Sequence, residues 1–258
     1  MPYLFLILIA ILVLFFTIAF KKRKWKQPKK KVSAGTINIL SKNVQFYNEL
    51  SAEQKKRFEY EIEEFLANYK ITAISTSISD KEKVLIAASG VIPIFAYPNW
   101  QYQNLKEILV YPDTFNTEFK TEGDERNILG MVGTGAYSYK MFLSKRAILN
   151  GFASNQDGHN TAIHEFIHLI DGLDGEIDGL PEILLKQPYV LPWIELIRKE
   201  IDKIRVGESE LRPYGGTNQS EFFAVASEFF FERPELLKTE HPELHKLLDT
   251  IFNSKGSH

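Results

Sequence analysis

Hydrophobic and polar positions change period several times along the chain, and each change predicts an element. Residues 3–20 (YLFLILIAILVLFFTIAF) run without a charged side chain. Eighteen residues in a helix span about 27 Å, enough for a hydrocarbon core, so this run predicts a transmembrane helix. Ser51 and Gln54 then have capping-box spacing. Phe58, Ile62, Phe65, Leu66 and Tyr69 follow at helical intervals, which predicts a helix over 52–68 with that stripe in the core. Ser79-Asp80 caps a second helix running to Ala88 and ended by Gly90. Glu107–Tyr111 reads as a short strand stopped by Pro112, and the alternation over Tyr137–Leu143 as another. A helical turn at 145–150 precedes an apolar helix that starts at Asn160 and carries Ile163, Phe166, Ile167, Leu169 and Ile170. An Asp/Gly loop at 171–180 leads to a helix around Trp193–Ile204. A further apolar helix contains Glu221, and a last helix runs from about Glu235 to Phe252. The pattern predicts an α+β fold, mostly helical with a small sheet, preceded by one transmembrane helix.

Charge sharpens the reading of the N-terminal end. The formal net charge is −2, from 31 basic and 33 acidic residues. Lys21 to Lys31 holds eight of the basic residues, and no acidic residue precedes position 32. Without those eight, 23 basic residues face 33 acidic ones, so the remainder carries −10. That acidity argues against nucleic-acid binding. Positive charge after the apolar run, with no Ala-x-Ala site, predicts an uncleaved anchor rather than a secretory signal peptide. The positive-inside rule then predicts a single-pass location in the cell membrane with the following domain facing the cytoplasm. The basic cluster would lie on anionic headgroups and Trp25 at the interface. The expected organisation is an anchor at 1–20, a basic linker at 21–36 and one domain at 37–258. About 225 residues are enough for one well-buried core. The chain has no cysteine, so a disulfide framework and thiolate metal ligands are excluded, and a zinc ion would need N and O ligands.

The chemistry concentrates in His164-Glu165-Phe166-Ile167-His168. Residues four apart share a helix face, so both imidazoles can reach one metal ion, with Glu165 beside them to take a proton from water. A structural reading, two partly buried histidines and a salt-bridged Glu165, competes with this one. A third ligand is needed, and Asp171, Asp174, Glu176, Asp178, Glu221, Glu228, His241 and His245 all follow. Asp171 is too near the same helix to complete a tetrahedron easily. Asp171 and Asp174 suit hydrogen bonding to a ligand imidazole instead. Glu221 and Glu228 stand seven apart in an apolar segment, where an unpartnered carboxylate is costly. Glu221 is the expected ligand. Glu228 is either a partner of a ligand or a helix-surface charge. Tyr214, in Pro-Tyr-Gly-Gly-Thr, could face an oxyanion, but by position alone it is one of 11 tyrosines. His159 either touches substrate or caps the helix, with the structural role favoured. His241 and His245 read as surface residues. Tyr137–Leu143, just before the His-Glu helix, is the candidate edge strand for pairing with an extended substrate.

The segments His159–Gly179 and Asn218–Phe231, with Val84–Ala88, Glu107–Phe115 and Asp157–Asn160, resemble the Mlc titration factor A family of zinc metallopeptidases over roughly residues 50–250. Tyr214–Ala224 also resembles the catalytic domain of anthrax lethal factor. The resemblance implies a zincin-like metallopeptidase domain with one Zn2+ on His164, His168 and Glu221. It implies Glu165 as general base, Tyr214 as the oxyanion-side group, and peptide-bond hydrolysis of aminopeptidase type. The family takes its name from binding a transcriptional repressor, so the second expectation is an interaction module that sequesters a cytoplasmic transcriptional regulator. A non-peptidase zinc hydrolase is a third.

Overall fold

The computed structural model describes residues 25–28, 31–123, 126–153 and 158–253. Helix α1 (Ala34–Asn43) starts where Ser33 Oγ accepts the Thr36 N–H at 3.0 Å. A short α2 (Gln45–Glu49) follows, then α3 (Ala52–Asn68), which carries the predicted capping box of Ser51 and Gln54. Strand β1 (Lys70–Ala73) leads to α4 (Asp80–Val91), capped by Ser79 with Glu82 reaching back. Gly90 does not end this helix. A Cβ there would lie 2.6 Å from Phe65 and 2.9 Å from Phe166, so its bare backbone lets three helices pack closely.

Strands β2 (Leu105–Tyr111), β3 (Gly130–Val132) and β4 (Tyr139–Ser144) complete one four-stranded sheet of order β1-β2-β4-β3. The first three in that order are parallel, and β3 is antiparallel to β4. The strand expected to lie at the edge is therefore interior: β4 is paired on both sides, and β3 is the edge nearest the site. Alternation in sequence reports which faces are buried, not which strands have free neighbours.

After α5 (Lys145–Asn150) comes α6 (Thr161–Asp171), all 11 residues of which are buried. Helix α7 (Gln187–Arg205), a 3-10 turn (Pro213–Gly216) and α8 (Gln219–Glu232) follow. The expected last helix is two, α9 (Pro234–Glu240) and α10 (Pro242–Asn253). Pro242 disfavours helical geometry at the residue before it, and His241 breaks the run with φ −132° and ψ 61°. The elbow turns His241 inward. It is not a surface residue: it is 5% exposed, with Nδ1 2.7 Å from Glu200 on α7 and Nε2 2.9 Å from Glu210. His245 is half-buried against the Phe230 ring.

Two expectations about the N-terminal end are corrected. Among the described residues, no helix is long and apolar enough to cross a membrane. The preceding transmembrane helix, and with it the single-pass location facing the cytoplasm, is not supported; the run at 3–20 itself lies outside the described residues. The fold is a mixed α/β domain with ten α-helices and a small sheet among the described residues. Trp25 packs on this domain, its ring edge-on to Tyr69 at 5.7 Å. The Lys26 backbone N–H donates to Asn68 Oδ1 at 2.9 Å, and its carbonyl accepts from Asn68 Nδ2 at 2.7 Å.

Candidate metal centre and cleft

Two capped helix starts build the centre. Asn160 Oδ1 accepts the Ile163 N–H at 3.2 Å, while its Nδ2 donates to the Gly151 carbonyl at 2.9 Å. This fixes the start of α6 and the face that carries His164 and His168. Asn218 Oδ1 accepts the Glu221 N–H at 2.9 Å, which places Glu221 in the first turn of α8. Helix α8 packs across α6, and the three side chains meet. His164 Nε2 lies 3.0 Å from Glu221 Oε2 and 3.1 Å from His168 Nε2; His168 Nε2 lies 3.5 Å from Glu221 Oε2.

Those separations fit a cation. Tetrahedral ligands at about 2.1 Å from a metal stand about 3.4 Å apart. Among the described residues, these three form a group whose ligand atoms lie within 4.8 Å of one another. The charges of these groups shift one another. Burial opposes a charge on His164, yet hydrogen bonding to Glu221 and Glu228 lifts its pKa to about 10. Burial would raise Glu221, but both imidazoles hold it well below the usual carboxylate range. Glu165 is 5% exposed, and desolvation raises its pKa.

Glu228 is not a surface charge. It is fully buried, and its Oε1 accepts from His164 Nδ1 at 2.7 Å. Arg212 Nη2 donates to the same oxygen, and the Asn160 N–H donates to Oε2 at 2.6 Å. With Nδ1–H committed to Glu228, a neutral His164 ring presents its Nε2 lone pair toward His168 and Glu221, the form that a bound cation would select. Asp171 is buried, with Oδ2 accepting the Gly179 N–H at 2.8 Å and a pKa pushed up to about 7 by burial. Its Oδ1 and His168 Nδ1, one helical turn apart, are both buried without a partner. Asp174 stands apart on the exposed loop, accepting the Glu176 N–H at 3.1 Å.

Glu165 faces the sheet edge. A Cβ on Gly130 of β3 would lie 2.7 Å from Glu165 Cγ and 2.8 Å from Oε1, so the glycine makes room for the carboxylate. Tyr214 is 51% exposed, with its ring centroid 5.9 Å from that of His164. Desolvation, and then the neighbouring Glu221, raise its pKa to about 12, so the phenol keeps its proton. A cleft of about 450 Å³ opens over these groups, walled by Gly130, Met131, His159, Glu165, Arg212 and Tyr214. His159 Nε2 is 3.4 Å from Thr161 Oγ1 at the cleft wall.

Sequence reasoning did not single out Arg212, Gly130 or Asn218. The Asn-x-x-Glu spacing of a helix cap was a usable signal for Asn218. Neither Arg212 nor Gly130 has a local one.

The sequence profile of the glucose-regulated metallo-peptidase M90 family matches residues 18–253. The chain belongs to this family. An uncharacterized Synechocystis protein, slr2042, is 29% identical over 226 residues, covering 83% of this chain and 82% of the relative. Mlc titration factor A of Pectobacterium atrosepticum is 27% identical over 220 residues, with 79% and 80% covered. Mlc titration factor A of Salmonella agona is 28% identical over 212 residues, with 76% and 77% covered. Membership of M90 and three converging side chains that could hold a metal ion agree on a metallopeptidase with a metal ion.

Proposed function

We propose that this chain is a zinc-dependent peptidase, with His164, His168 and Glu221 holding the ion, Glu165 as general base and Tyr214 as oxyanion donor. The observation that carries the reading is the convergence of two imidazole Nε2 atoms and one carboxylate oxygen beside a buried carboxylate in an open cleft. A bound zinc ion would supply a Lewis acid and ease deprotonation of water. The chain's own residues do the rest. Glu165, desolvated and raised, takes the proton of the attacking water and returns it to the leaving amine. Tyr214 donates its O–H to the developing oxyanion. Glu228 orients the His164 imidazole through Nδ1. An extended peptide lies along the edge strand β3, beside Glu165. Aminopeptidase-type cleavage of a peptide or protein substrate is the form the resemblance implies.

A second reading rests on the name of the Mlc titration factor relatives: this chain binds a transcriptional regulator. An intact base and Tyr214 favour catalysis, since sequestration needs neither. Zinc content and hydrolysis of a mixed peptide library, for wild type and Glu165→Gln, test the two. Both proteins should bind about one zinc, and wild type alone should cleave. Full activity in Glu165→Gln removes Glu165 as the base. Zinc in both proteins with cleavage in neither moves the binding reading ahead.

A further inference from the structure

Resting on the metal-site reading, we propose that Arg212 is a positioning residue for His164: acting through Glu228, it fixes the imidazole and ties the turn bearing Tyr214 to α8. Glu228 Oε1 is shared by His164 Nδ1 and Arg212 Nη2, while Oε2 is held by the Asn160 N–H at 2.6 Å. Both oxygens are thus engaged, and the carboxylate cannot swivel. Three donors from three parts of the chain set its plane, and that plane sets the direction of the His164 Nδ1–H bond.

Arg212 reaches Glu228 from the cleft side. Its Nε is buried without a partner, so one donor is left unsatisfied while Nη2 reaches Glu228. Its side chain, 28% exposed, forms part of the cleft wall. Arg212 also directly precedes the Pro213–Gly216 turn that carries Tyr214. Pro213 fixes one backbone torsion there. The ion pair therefore anchors the Tyr214 turn to the same carboxylate that orients His164.

The test uses the full chain and two readouts besides activity: zinc affinity by chelator competition, and the visible spectrum of the Co2+-substituted protein. Arg212→Met keeps the packing of the stem and removes the donors; Arg212→Gln removes the charge. Each should weaken zinc about tenfold and shift the cobalt bands. Arg212→Lys should recover affinity to within about threefold, because one charged donor still reaches Oε1. Adding Arg212→Met to Glu228→Gln should cost less than about twofold more, since residues in one network are not additive. Wild-type affinity and spectrum in a folded Arg212→Met or Arg212→Gln, or full additivity with Glu228→Gln, overturns the proposal. Metal-free melting curves establish folding, and either variant alone suffices. A wild-type protein that binds no zinc overturns the metal-site reading and this proposal together; a wild type that binds, with variants that bind equally well, overturns this proposal alone.

Discussion

His164 and Glu228 stand 64 residues apart in the chain and 2.7 Å apart in the fold. The bond joins the first turn of α6 to the C-terminal half of α8, and it commits one imidazole nitrogen while the other faces His168 and Glu221. Glu228 also holds the Asn160 backbone and Arg212, so one carboxylate serves the start of α6, a ligand of the candidate metal centre and the cleft wall.

Glu228→Ala removes the acceptor of all three donors at once. Breaking a buried charged network typically costs about 3–5 kcal/mol. At this chain length the melting temperature should fall by roughly 10 °C. Zinc affinity should fall about 10- to 100-fold. Calorimetry of the metal-free protein and chelator competition read the two effects separately; an unchanged melting temperature removes Glu228 from its stabilising role.

Gly130→Ala pushes a methyl group into Glu165, at 2.7 Å from Cγ. Either β3 or the carboxylate must move. A displacement of about 1 Å at the reacting groups can cost about 100-fold in rate, so kcat should drop to that extent. Zinc content should be unchanged, because the ligands are not touched. A kcat equal to wild type shows that Glu165 tolerates the shift and is not the positioned base.

Tyr214→Phe deletes one donor from an exposed ring and should leave folding and zinc binding intact. Loss of an oxyanion donor lowers kcat by about 100- to 1,000-fold with little change in KM. Steady-state kinetics decides it: an effect confined to KM places Tyr214 in substrate binding instead.

Chelation should destabilise the wild type. Ligand that binds only the folded state adds about 2.7 kcal/mol at a hundred times its Kd. Melting temperature should therefore rise with added zinc in wild type and stay flat in His168→Ala and Glu221→Ala. A zinc-dependent rise that persists in both variants moves the ion to other residues.

The elbow at His241 should make stability depend on pH in two directions. The bond to Glu200 raises the His241 pKa above its ordinary 6.5, despite desolvation. Burial would raise Glu200, but His241 and Lys203 hold it below 4.5. The histidine's contribution is complete below 6.5 and is lost as pH rises through its raised folded value. The glutamate's is complete above 4.5 and is lost as pH falls through its lowered folded value. The cluster contributes most between those two values. The melting-temperature gap between wild type and His241→Asn should be widest there and close on the alkaline side. A gap that stays constant with pH means that the ring contributes packing alone.

Features governed by neighbours within a turn or two were legible in the sequence. The caps at Ser51, Ser79 and Asn160 fall where their spacing predicts. The His-Glu-x-x-His spacing put His164 and His168 on one face of a buried helix, because helical period alone fixes that. Glu221 was the favoured third group, since a carboxylate in an apolar segment needs a partner. Tertiary structure decided the rest. It chose β3 rather than β4 as the edge, because strand neighbours are set by pairing between distant segments. It split the last helix at Pro242 and buried His241, because the elbow packs over α7. It placed Asp174 outside and Arg212 inside, which no local pattern records. The apolar run at 3–20 predicted a span, yet the described fold contains no membrane-crossing helix, and Trp25 lies against Tyr69. Sequence periodicity fixes which face of an element is apolar; which other face it meets depends on contacts between residues far apart in the chain, and those form only when the whole core packs.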